Sequence, residues 1–409
     1  MAKLLNQIAL KSRKPLCTLK YPCEPDEDTR TKKTPIPNME FTNSSTITPI
    51  DVSKLALNKY RCEPVEDTGA KETPIPNMEF ANSSTITPID VSKLALNIST
   101  QQPLFEFFLD GSRRLYKIGD VEHNNRLYPV IGGQISVSCC RRAINKDNTF
   151  QGFSIVDNDA YPVVCLPEEV PSWTELNKLP FITSCQKSDL KVFQDSIDSK
   201  SSDTLEQKGI DCIQQEMIEC ENHILHKIVS KHSNKYLIKD GSIPYPPKNI
   251  EGTKAEESLR SYQYIVGVSK KFNPNLTRLK NNKSIEYALA MLPPRHRTPA
   301  FFCEYKSMKL AIWYVRIRER DYTATPYSGI LKIEKLFETN AEEEKELNPE
   351  QIKLINLITA NIINERNPVC YGNDTRWANH LYPIYMTECY CKSQFMSDIN
   401  FINYLRDHK

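Results

Sequence analysis

Seven short apolar runs constrain the fold of this chain most. Residues 104–109, 128–139, 161–166, 236–238, 262–269, 300–305 and 310–317 are rich in Phe, Tyr, Val and Ile, which pleated surfaces favour. Helical patterns stand between them. From Leu205 to Lys231, Ile210, Ile213, Met217, Ile224, Leu225 and Ile228 fall on one 3.6-residue stripe. Asn348-Pro349-Glu350 reads as a helix start, with an N-cap and Pro in the first turn. Ile352, Ile355, Ile358 and Ile362 carry that stripe onward. Strands interleaved with long helices predict an α/β domain, a mixed sheet flanked by helices.

The chain of 409 residues changes texture near residue 100. Residues 20–58 and 59–97 are a tandem repeat of 39 residues. The copies differ only at Pro22/Arg61, Asp26/Val65, Arg30/Gly69, Thr31/Ala70, Lys33/Glu72 and Thr42/Ala81. Two copies are too few to stack a solenoid core, and both are rich in Pro, Ser, Thr and Asn. Residues 1–100 are therefore expected to be a low-order, mostly extended segment. Short helices are expected at 51–57 and 90–96, with Asp51 and Asp90 as N-caps. Residues 101–409 are expected to form the folded, working domain.

A net charge of +2 gives no global basic field, so any nucleic-acid contact must use basic residues gathered locally. No apolar stretch approaches the roughly 18 residues of a membrane span. The opening residues show no secretory cleavage pattern. The 13 cysteines are odd in number and contain no CxxC, which predicts reduced thiols, several buried in strands, and a cytoplasmic setting. No P-loop is present, so a motor would have to be a partner.

Asp-Gly-Ser occurs twice, at 110–112 and 240–242, each time after an apolar run. A strand that ends in a carboxylate can carry it to a sheet edge where a metal sits, and the glycine lets the backbone turn close to a phosphate. The plain alternative is two strand-ending turns. The helix 205–231 adds Glu216, Glu219 and Glu221. Glu221 falls within the apolar stripe, where a carboxylate is costly without a cation or a partner, whereas Glu216 and Glu219 point to the flanks. Asp110, Asp240 and Glu221 thus form a candidate three-carboxylate site for Mn²⁺ or Mg²⁺. The alternative is a glutamate paired with a lysine.

The segments LFEFFLDGSRR, KYLIKDGSIPY, YIVGVSKKF, TPAFFCEY with LAIWYVRI, and HLYPIYMTECY, in this order around an acidic helix, resemble the NurA nuclease family over about residues 104–390. The resemblance implies an RNase H-like fold, a homodimer, a HerA-type hexameric ATPase partner and Mn²⁺-dependent cleavage in DNA end processing or antiphage defence. It makes Asp110 and Asp240 metal ligands, with a glutamate of the helix as the third. It sets Ser112, Arg113, Lys270 and Lys271 against DNA. Where the family has Ala-His after Tyr-Pro, this chain has Cys389-Tyr390, and the nearest imidazole is His380. His380 is accordingly a candidate catalytic residue. A non-catalytic adaptor that binds DNA or the ATPase is the other function class the residues admit.

Two basic runs complete the inventory, PPRHR at 293–297 and RIRER at 316–320, the latter flanked by Tyr314 and Tyr322. Basic residues beside aromatics suit single-stranded nucleic acid, and a solvated basic face is the alternative. His223, His226 and His232 lack a zinc-site pattern.

Overall fold

A computed structural model describes residues 19–20, 86–123, 125–144, 150–167, 191–195, 204–232, 234–243, 262–274, 285–305, 308–320, 325–338, 347–366 and 377–401. The strands are β1 (Leu19–Lys20), β2 (Ile89–Asp90), β3 (Phe105–His123), β4 (Arg126–Ile144), β5 (Phe150–Pro167), β6 (Lys191–Asp195), β7 (Tyr236–Asp240), β8 (Ile265–Ser269), β9 (His296–Arg297), β10 (Phe301–Tyr305), β11 (Met308–Arg316) and β12 (Ile330–Glu338). They form one mixed sheet in the order β2-β9-β11-β12-β8-β7-β3-β4-β5-β6, with β1 beside β3 and β10 beside β11. The helices are α1 (Ser92–Ile98), α2 (Leu205–Lys231), α3 (Glu286–Met291), α4 (Pro349–Asn364) and α5 (Tyr382–Ser393). A mixed sheet flanked by helices is the expected α/β class. No helix among the described residues is long and apolar enough to cross a membrane.

The period of two along the strands assigns each side chain to one of two faces. Phe107 and Leu109 of β3, Ile135 and Val137 of β4, and Val163 and Cys165 of β5 face α2, where Ile213, Ile224, Leu225 and Ile228 bury the predicted stripe. Thr204 caps that helix by accepting the amide of Gln207. Phe108, Ile238, Val266, Trp313, Leu331 and Ile333 face the other way, toward α1, α4 and the start of α5. Asn348 and Gln351 close a reciprocal capping box at the start of α4, so the Asn-Pro-Glu start stands as read.

Two features depart from the sequence expectation. The first Asp-Gly-Ser does not end a strand: β3 runs on to His123. β7, its parallel neighbour, pairs only with residues 105–109, and β1 pairs with Tyr116 and Lys117. Asp110 therefore lies mid-strand at a notch, where its neighbour stops. Strand β12 was also unforeseen. Its apolar residues are interrupted by Lys332, Glu334 and Lys335, residue types that favour helices when read locally.

A short helix does lie in the second repeat copy, shifted to Ser92–Ile98, but Val91 and not Asp90 is its N-cap, and the Asp90 carboxylate accepts the Ser92 amide. Val91 and Ala95 are buried in the core, and Asn364 of α4 donates to the Ala95 carbonyl. The expected extended run of residues 20–85 and the first-copy helix at 51–57 lie outside the described residues, apart from Lys20.

Candidate active site

Leu109 of β3 pairs with Lys239 of β7, so Asp110 and Asp240 each follow a paired residue and emerge side by side. Both belong to the face that carries Phe108 and Ile238. Lys270, the residue after β8, closes the group, with its ammonium 3.1 Å from Asp240 and 3.3 Å from Glu388 of α5. Lys392 reaches Glu388 from one turn further along α5, at 3.3 Å.

The floor of the site is polar because β4 alternates. Ile135 and Val137 face α2, while Gln134, Ser136 and Ser138 are buried on the opposite face. Helix α5 lies over β3 and β4 there, and the Cys391 thiol donates to the Asp110 carbonyl at 3.5 Å. Ile384, Thr387 and Cys391 are the buried stripe of α5, and Glu388 sits one turn after Ile384.

Asp110 is the exceptional group. It is 4% exposed, its Oδ1 accepts the Gly111 amide at 2.9 Å, and its Oδ2 is buried with no hydrogen-bond partner. Burial first, then the negative charges of Asp240, Glu388 and Glu221, push its carboxyl well above the usual range, against the pull of Lys270. Burial opposes the charge on Lys270, but Asp240, Asp110 and Glu388 outweigh it and hold the ammonium above its ordinary value.

Glu221 occupies the other face. Its Oε1 would lie 2.5 Å from a Cβ added to Gly111, whose position in β3 faces α2. Its Oε2 is 2.7 Å from the ammonium of Lys239, and both side chains are buried. Burial raises the Glu221 carboxyl, and Lys239 pulls against that rise. The glutamate–lysine alternative is thus what the geometry contains at this position, while Asp110 and Asp240 come together. Among the described residues, no three His, Cys, Asp or Glu side chains are disposed to hold one metal ion.

The remaining candidates fall as follows. Glu216 is buried rather than flanking, and accepts a hydrogen bond from Tyr161 at 2.8 Å. Glu219 is exposed. Ser112 and Arg113 continue β3 and are partly exposed, the serine on the Asp110 face and the arginine on the Glu221 face. Lys271 is exposed beside Lys270. His380 is 2% exposed and packs its ring against Tyr385, just ahead of α5. Sequence reasoning missed Glu388. The available signal was Pro383 in a first turn, followed by apolar or small residues at 384, 387 and 391.

No protein-family model matches the chain, and no curated protein matches it in sequence. Among solved structures, the NurA nuclease from Sulfolobus solfataricus is similar to it with a TM-score of 0.37 at 9% identity, covering 76% of this chain and 91% of that one.

Proposed function

We propose that the chain is a metal-dependent deoxyribonuclease of the NurA kind, which hydrolyses phosphodiester bonds at the cluster of Asp110, Asp240 and Glu388. One observation carries the reading: the buried Asp110 oxygen without a hydrogen-bond partner, set among like charges. A buried carboxylate in that position is costly unless a cation meets it. Asp110, Asp240, Glu388 and Glu221 supply four carboxylates against the ammoniums of Lys239, Lys270 and Lys392, and the raised Asp110 carboxyl would ionise readily only with a cation on it. Hard oxygen donors suit Mn²⁺ or Mg²⁺.

Asp110 and Asp240 would hold the ion, while Glu388 on the same face pairs with Lys270 and Lys392. Glu221 keeps Lys239 charged beneath them. Bound there, such an ion supplies Lewis-acid polarisation of the phosphate and an acidified water. Lys270, held protonated by three acids, offers an ammonium to a phosphate oxygen. Ser112 and Lys271 extend that contact along DNA, whereas Arg113 stands on the opposite face of β3. We assign His380 to anchoring the entry to α5, because the segment it belongs to is tied down by Asn379, whose amide donates to the Lys270 carbonyl at 3.1 Å and the Ile330 carbonyl at 2.9 Å. A homodimer and a HerA-type ring ATPase belong to the same reading, since the sequence has no P-loop of its own.

The competing reading is an adaptor that binds DNA or the ATPase without chemistry. It is favoured by Lys239 and Lys270, whose ammonium groups already meet Glu221, Asp240 and Glu388. Digestion of linear and circular DNA with Mn²⁺, Mg²⁺ or EDTA separates the two. Cleavage that depends on the metal supports the nuclease, and intact DNA in all three conditions supports the adaptor.

A further inference from the structure

The two basic runs of the sequence, 23 residues apart at their first members, become one surface in the fold. Arg295 donates its amide to the Arg316 carbonyl at 2.7 Å, and its guanidinium lies 3.9 Å from Glu319. Arg316 itself is fully buried and spends its guanidinium on main-chain carbonyls, including Leu289, Ala290 and Leu292 at the end of α3. It fastens α3 to β11 and leaves Arg295 and Arg320 outside. Arg320 reaches the Met291 sulfur at 3.6 Å. One turn before Met291, Tyr287 is 77% exposed.

Buried contacts link this surface to the acid cluster. Arg318 lies over the Trp377 ring, 4.6 Å from its centroid. Two residues on, Asn379 accepts the Gly329 amide and donates to the Lys270 carbonyl. The start of β12 and the end of β8 are thus laced together at Asn379. The guanidiniums crowd one another. Burial first, then the charge of Arg320, lowers Arg316 to about 10. Tyr314, expected from sequence to flank the run, is buried instead, and Tyr322 lies outside the described residues.

We propose that this strip binds a single-stranded polynucleotide, with phosphates on Arg295 and Arg320 and a base stacked on Tyr287, and leads the strand toward the site of Asp110. The inference deepens the nuclease reading and rests on it for the direction of the path. Its chemistry is specific: an exposed aromatic ring one helical turn from the methionine that Arg320 touches suits splayed bases, whereas a closed duplex hides its base faces.

The test is a titration of the full-length protein against labelled single strands of about 20 deoxythymidines or uridines, and against a duplex of equal length, in EDTA at several salt concentrations. Arg295→Ala with Arg320→Ala should weaken single-strand binding about tenfold and lower the salt slope by roughly 1.4, about 0.7 per phosphate contact. Tyr287→Ala should weaken it about fivefold with the slope unchanged, and affect the duplex little. These side chains are exposed, and matched melting curves check folding. Equal losses for thymidine and uridine strands assign the strip to either sugar. Single-strand binding within twofold of wild type in both variants, or absent in wild type, overturns the proposal. Because binding is read without metal, a protein that cleaves DNA but binds normally in both variants loses only this inference. A protein that shows the binding losses but never cleaves loses only the nuclease reading.

Discussion

Gly111 and Glu221 interlock: a Cβ at residue 111 would meet the glutamate Oε1 at 2.5 Å. The carboxylate cannot simply swing away, because its other oxygen is held by Lys239 at 2.7 Å in a buried pair. Gly111→Ala should therefore cost about 1–3 kcal/mol through overpacking. Thermal or urea unfolding measures it. A wild-type midpoint would show that the Glu221–Lys239 pair yields at no cost.

The two glutamates near the site should separate by phenotype. Glu388→Gln should lose metal-dependent cleavage while keeping its fold, because it removes charge from the face shared by Asp110 and Asp240. Glu221→Ala should lose stability first, by about 3–5 kcal/mol, since it leaves Lys239 buried without its counter-charge. Parallel melting curves and cleavage assays decide. Full activity in Glu388→Gln would remove α5 from the chemistry.

Asp110→Asn should reduce cleavage roughly 1000-fold and spare DNA binding, because the amide keeps size but cannot balance a cation. Asp240→Asn should behave alike. Asp110→Asn should also raise the melting temperature of the metal-free protein at neutral pH. The sign follows from the raised carboxyl: the folded state holds its proton above the unfolded value, so stability from this group falls as pH climbs through the carboxylate range toward the folded pKa. Unfolding of both proteins in EDTA from pH 4 to 8 checks it, and equal stabilities at neutral pH would contradict the assigned environment.

Lys335 predicts a second pH dependence. It is 2% exposed on the α4 side of β12, donates to the Leu336 carbonyl at 2.7 Å, and sits 4.9 Å from the Phe337 ring centre. Burial drops its pKa to about 7. The folded state therefore binds fewer protons than the unfolded one between about 7 and 10, and stability should fall as pH falls through that window. Lys335→Met should raise stability at neutral pH by a few kcal/mol and flatten the dependence. Unfolding measured from pH 6 to 10 checks it.

Deleting residues 59–97 should leave the fold intact. Residues 82–97 repeat 43–58 without change, so the deletion joins Asn58 to Ile98 and re-creates the sequence of β2 and α1. Deleting residues 20–97 should instead strip Val91 and Ala95 from the core and lower the melting temperature clearly. Equal melting temperatures for the two deletions would show that α1 contributes nothing.

What the sequence determined by itself was local and periodic. The stripe of α2, the N-cap and proline start of α4 and the apolar runs of β3 and β4 are short-range consequences of residue type, and the two helix signals lie where they were read, while β3 runs on past the Asp-Gly-Ser expected to end it. The two Asp-Gly-Ser segments also marked the strands that meet at the site. Tertiary structure decided the rest, because sidedness depends on the neighbour a strand acquires. Only the pairing of Leu109 with Lys239 sets Asp110 beside Asp240, and only the position of α2 puts Glu221 beneath the sheet with Lys239. Only the fold of the C-terminal residues across β3 brings Glu388 to Lys270, 118 positions away. Those relations arise from register and layer order, which residues distant along the chain settle together when their apolar faces are buried.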